Sequence, residues 1–76
     1  MMKTKVFELR GIIAKNGHTL RSFSESSGIS LSYLSLIINS KATPSPKMAK
    51  RISNNLNVSM EDLFDFEMKE EMKWKN

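Results

Sequence analysis

A chain of 76 residues holds one small domain, and without cysteine it has neither a disulfide framework nor a thiolate metal site. Its one histidine, His18, cannot bind a metal unaided and is expected at the surface of a turn. The net charge of +4 is unevenly spread: Met1 to Met60 carries nine Lys/Arg against two Asp/Glu, whereas Glu61 to Asn76 carries three against six.

The spacing of apolar residues predicts five short helices and no strand. The first, about Thr4 to Asn16, has Val6, Leu9 and Ile13 at helical intervals, with Phe7 and Ile12 widening the stripe. Asn16-Gly17 ends it, since glycine accepts the left-handed conformation that follows a helix. Thr19 caps a second helix, about Leu20 to Ser27, whose apolar face is Leu20 and Phe23. Gly28 stops it. Ser30 caps a third helix, about Leu31 to Asn39. Ile29 and Leu34 stand at the spacing of a hydrophobic staple, which sets the angle of entry into that helix. Only Gly28-Ile29-Ser30 separates the second helix from the third, so the two must cross sharply.

Ser40 to Thr43 form a loop. Ser45 then caps a fourth helix with Pro46 in its first position, where a missing N–H costs nothing. Ala49, Ile52 and Leu56 form its inner stripe, with Lys47, Lys50 and Arg51 mostly elsewhere on the circumference, and Asn57 can end it. Ser59 caps a fifth helix, with Val58 and Leu63 at staple spacing and Asp62 at the capping-box position. Met60, Phe64, Met68 and Met72 recur every four residues, which predicts that this helix runs past Phe66. The chain thus divides into a helical domain over 1–66 and an acidic, amphipathic extension over 67–76.

No acidic residue lies between Ser26 and Met60. A positive body of this kind favours a polyanionic partner. There is no acid pair in a basic cleft, no histidine coupled to a nucleophile and no glycine-rich phosphate loop, so neither an enzyme nor a cofactor is expected. No apolar run approaches the roughly 18 residues of a membrane span, and no apolar stretch follows Lys3 and Lys5 as in a secretory leader. A cytoplasmic location without membrane contact is expected.

Thr19-Leu-Arg-Ser-Phe-Ser-Glu-Ser-Ser-Gly28-Ile-Ser30, then Tyr33-Leu34-Ser35 and Pro44-Ser45, resembles the Cro/C1-type (XRE-like) helix-turn-helix family. Leu56-Asn-Val-Ser-Met-Glu-Asp-Leu-Phe64 resembles the closing segment of that family. The resemblance covers about residues 4 to 66. It implies an all-α, five-helix bundle of lambda-repressor-like type and a sequence-specific DNA-binding regulator, a bacterial or phage repressor. Helix three would lie in the major groove and helix two across the backbone. Base readers would then be Ser30, Leu31, Ser32, Tyr33 and Leu36. Phosphates would meet the amides at Thr19 and Leu20, together with Ser35, Asn39, Lys41, Thr43 and Lys47, with Ala42 in the same loop.

The sequence departs from the family pattern in five respects. Leu20 stands for the usual glutamine, Ser24 for alanine, and Ser40 for the glycine after helix three, where a left-handed turn is less comfortable without one. Ile13 and Ile38 stand where many relatives carry an Arg–Glu pair, and together they make a core contact with no unpaired charge. Helix three has no Gln, Arg, Asn or Lys before Asn39. Readout by apolar contact, Tyr33, backbone amides and DNA shape is expected.

The apolar residues at the C-terminal end exceed what so short a chain can cover, so Phe64, Phe66, Met68, Met72 and Trp74 are the candidate homodimer surface. The alternative function is a protein-interaction or antitoxin-like module with reduced base reading, suggested by Leu31 and Leu36 on the outer face of helix three. Its partner would be a regulatory protein instead of DNA.

Overall fold

The computed structural model describes residues 2–66. Its elements in chain order are β1 (Met2–Thr4), α1 (Val6–Lys15), α2 (Leu20–Ser27), α3 (Leu31–Ile38), α4 (Pro46–Leu56), α5 (Met60–Leu63) and β2 (Phe64–Phe66). The fold is helical, with a minor two-stranded sheet.

Hydroxyl caps define the helix starts. The Ser22 amide donates to Thr19 Oγ1 at 3.0 Å, the Tyr33 amide to Ser30 Oγ at 3.2 Å, and the Met48 amide to Ser45 Oγ at 3.2 Å. Each satisfies a first-turn amide that has no intrahelical acceptor. At α5 the Asp62 carboxylate accepts from both the amide and the hydroxyl of Ser59, each at 3.1 Å. Every helix contributes to one core, built on Leu9, Phe23, Leu34, Ile37, Ile52, Leu56 and Leu63, all buried. Both staple pairs join it: Ile29 and Leu34 are buried, and Val58 packs against the cluster that includes Leu63.

Three expectations need correction. The first concerns both ends of the domain. α1 begins at Val6 and not at Thr4, because Met2–Thr4 is a strand antiparallel to Phe64–Phe66, with Met2 opposite Phe66 and Thr4 opposite Phe64. The Lys5 amide donates to the Leu63 carbonyl at 2.8 Å, and Lys5 Nζ to the Glu61 carbonyl at 2.9 Å. Carbonyls at the end of α5 are therefore taken by Lys5, directly after β1, the chain goes on as β2, and the helix stops at Leu63 instead of running past Phe66.

The second concerns Phe64. It is 1% exposed and belongs to the core of its own chain, so it is not available as a dimer surface. Phe66, two residues on, is 47% exposed. Met68, Met72 and Trp74 lie outside the described residues.

The third concerns His18, which is half-buried. Its Nδ1 lies 2.8 Å from the Ser22 hydroxyl, and its ring meets Phe23 edge-on with centroids 5.6 Å apart. It supports the first turn of α2. Ile13 is buried in the core, Ile38 packs against that core, and both line one small recess with Leu20, so apolar side chains occupy this junction of α1 and α3.

Candidate nucleic-acid interface

The turn between α2 and α3 is tied by side chains from three positions. Gly28 takes a left-handed φ of 75° and its amide donates to the Ser24 carbonyl. Ser24 Oγ donates to the Ile29 carbonyl at 2.6 Å, and the Ile29 amide donates to Ser27 Oγ at 3.2 Å. From α4, Arg51 Nη2 donates to the Ser27 carbonyl at 3.0 Å. Polar backbone groups near a core must find partners, and here serines and an arginine supply them. Serine at 24 therefore adds a hydrogen bond that alanine could not make. The turn holds α3 with Leu34 and Ile37 inward and its opposite face in solvent.

On that outer face, Ser30 and Ser32 are exposed and Leu36 is 46% exposed. Leu31 is partly exposed. Tyr33 is also partly exposed, but it packs against the core as well, which limits how far its ring can swing. The Ser30 oxygen already accepts the Tyr33 amide, leaving its O–H to donate.

The expected phosphate residues fall into two groups. Lys41, Thr43 and Lys47 are exposed on the loop after α3 and on the first turn of α4. The others are engaged locally. Thr19 and Ser22 form a reciprocal capping box in which the Thr19 amide donates to Ser22 Oγ at 3.0 Å. The Thr19 amide is therefore already used, and of the first-turn amides those of Leu20 and Arg21 are left without an intrahelical acceptor. The Leu20 side chain packs inward, so this residue can offer only its backbone. Asn39 caps α3 by donating from Nδ2 to the Ser35 carbonyl at 2.8 Å, which couples those two candidates to each other.

Two features escaped the sequence reading. Arg21 is an exposed cation directly after the free amide of Leu20. The loop Ser40–Thr43 lies beside the sheet, sharing a groove with Lys3, Thr4 and Asp65. Ser40 takes a left-handed φ of 60°, so this serine does adopt the turn that glycine would make more easily. No local signal marks the groove, because its walls come from three segments far apart in sequence.

Among the described residues no helix is long and apolar enough to cross a membrane. A helix-turn-helix family model matches residues 9–63, which spans α2, the turn, α3 and α4 whole. No curated protein and no solved structure matches the chain.

Proposed function

We propose a regulatory function on one premise: the chain belongs to the helix-turn-helix family of Cro/C1 (XRE-like) type. That family is one of DNA-binding regulators and not of enzymes. Our finer reading is a sequence-specific repressor of bacterial or phage type, acting in the cytoplasm on double-stranded DNA with α3 in the major groove.

The observation that carries this reading is the outward face of α3 within the acid-free stretch from Ser26 to Met60. Ser30, Ser32 and Leu36 point away from the core, and no carboxylate side chain occurs from Ser26 to Met60. Leu36 and Leu31 would meet thymine methyls, Ser30 and Ser32 base edges or phosphates, and Tyr33 the groove wall. The Leu20 amide with Arg21 would clamp one phosphate run. Lys41, Thr43 and Lys47 would clamp another, with Thr19, Ser35 and Asn39 holding the local backbone in shape. A homodimer would place two copies of α3 on half-sites about one helical turn apart. Its surface would be Phe66 together with Met68, Met72 and Trp74.

Selection of bound sequences from random duplexes tests this. A recovered motif that the Ser32→Ala, Tyr33→Ala double variant blurs is the expected result. The exposure of Leu36 supports a second reading, a protein-interaction or antitoxin-like module. Recovery of no motif by the wild type would favour that module.

A further inference from the structure

We infer that α4 carries a second DNA-backbone site, an open groove that continues along the helix from Lys47 and receives phosphates beyond those met by α2, α3, the loop and Lys47 itself. The inference rests on the DNA-binding reading above. Lys47, Met48, Lys50, Arg51, Asn54 and Asn55 line this groove. They recur three and four residues apart and so share one side of the helix. Ala49, Ile52, Ser53 and Leu56 are buried on the other side.

The position of the groove follows from one contact with the helix-turn-helix. Arg51 reaches the turn before α3 through its bond to the Ser27 carbonyl. Ser45, in the same lining, caps α4 where the loop after α3 ends. The groove therefore adjoins the turn that leads into the reading helix. From Lys47 to Asn54 it runs about 10 Å at 1.5 Å per residue, close to three 3.4 Å rises along one DNA strand.

Its charge has no internal complement. Among the described residues the ion pair formed is Lys5–Asp65, on the sheet. Like charges three or four apart on a helix repel, so the cluster of Lys47, Lys50 and Arg51 weakens α4 unless an anion lies across it. Met48 and the aliphatic stems of the cations give the groove an apolar floor. Asn55 is turned back, donating to the Arg51 carbonyl at 2.8 Å. Lys50 and Asn54 are exposed and carry the donors that reach outward.

The test is the salt dependence of binding to a random-sequence duplex, followed by fluorescence anisotropy from 50 to 200 mM salt. Each phosphate contact contributes about 0.9 to the slope of log affinity against log salt. Lys50→Ala should lower the slope by about that amount, so that over this salt range it loses about 3.5-fold less affinity than the wild type. Lys50→Arg should keep the slope, and neither variant should melt below the wild type. If Lys50→Ala leaves the slope unchanged while Lys41→Ala lowers it, the groove inference fails and the DNA-binding reading survives. A wild type with no salt-dependent duplex binding overturns both. Binding of a poly-glutamate peptide that Lys50→Ala abolishes, with the duplex slope unmoved, assigns the groove to an acidic protein segment and overturns the inference.

Discussion

Arg51 on α4 donates from Nη2 to the carbonyl of Ser27, the last residue of α2, at 3.0 Å. The same nitrogen lies 2.9 Å from where a Cβ on Gly28 would stand. Glycine at 28 thus serves two purposes: it permits φ of 75° and leaves room for the guanidinium.

Gly28→Ala should therefore destabilise by about 1–2 kcal/mol from the left-handed backbone alone, with a further loss as Arg51 is pushed off the carbonyl. Arg51→Ala alone should cost about 1 kcal/mol, as its side chain is largely in solvent. In the Arg51→Ala background the cost of Gly28→Ala should shrink, because the steric part is gone. A double-mutant cycle in urea measures this. Strict additivity would show that the guanidinium does not constrain the glycine.

Ser27 is 6% exposed, and its hydroxyl accepts the Ile29 amide. Removing the acceptor strands a buried donor, which costs about 1–3 kcal/mol. Ser27→Ala should lower stability by that amount and speed hydrogen exchange at the Ile29 amide more than at the amides of α3. Exchange that stays at the wild-type rate would mean that another acceptor or water replaces the hydroxyl.

These contacts show which features could be read from the sequence. Thr19, Ser30 and Ser45 were legible as caps because a cap is a local event: the hydroxyl and its amide are three residues apart. Gly28 and the staples were legible for the same reason. The Arg51–Ser27 bond spans 24 residues and leaves no local pattern. The sheet joins Met2–Thr4 to Phe64–Phe66, two segments of three residues, too short to show an alternation. The four-residue recurrence of Met60, Phe64, Met68 and Met72 then pointed to a longer helix, and pairing with β1 overrode it. At the interface, the outward face of α3 followed from helical geometry. The engagement of Thr19, Ser35 and Asn39 with neighbouring backbone did not, because residue type alone does not say which partner a hydroxyl or amide takes.

Ser40 carries a strain that can be removed. Its φ of 60° costs an L-residue about 1–2 kcal/mol, against about 0.5–1 kcal/mol of extra chain entropy lost by glycine. Ser40→Gly should stabilise by about 0.5–1 kcal/mol, raising the melting temperature, whereas Ser40→Val should lower it. A Ser40→Gly variant that melts below the wild type would mean that the serine side chain makes a compensating contact.

Phe64 and Phe66 lie on the same face of β2, yet their substitutions should have opposite signatures. Phe64 is sealed beneath the sheet among Leu63 and the other core residues, so Phe64→Ala should cost about 3–5 kcal/mol. That is a large part of the roughly 5–15 kcal/mol a small domain has, and the variant should be close to unfolding at 37 °C. Phe66 has about half its surface in water, so Phe66→Ala should leave the unfolding of the monomer nearly unchanged. If Phe66 helps to join two copies, its effect should instead appear as a concentration-dependent loss, measurable by sedimentation of wild type and variant at tens of micromolar with and without duplex DNA. A wild type that sediments as a monomer under both conditions would remove the dimer, and half-site recognition would then have to come from single copies.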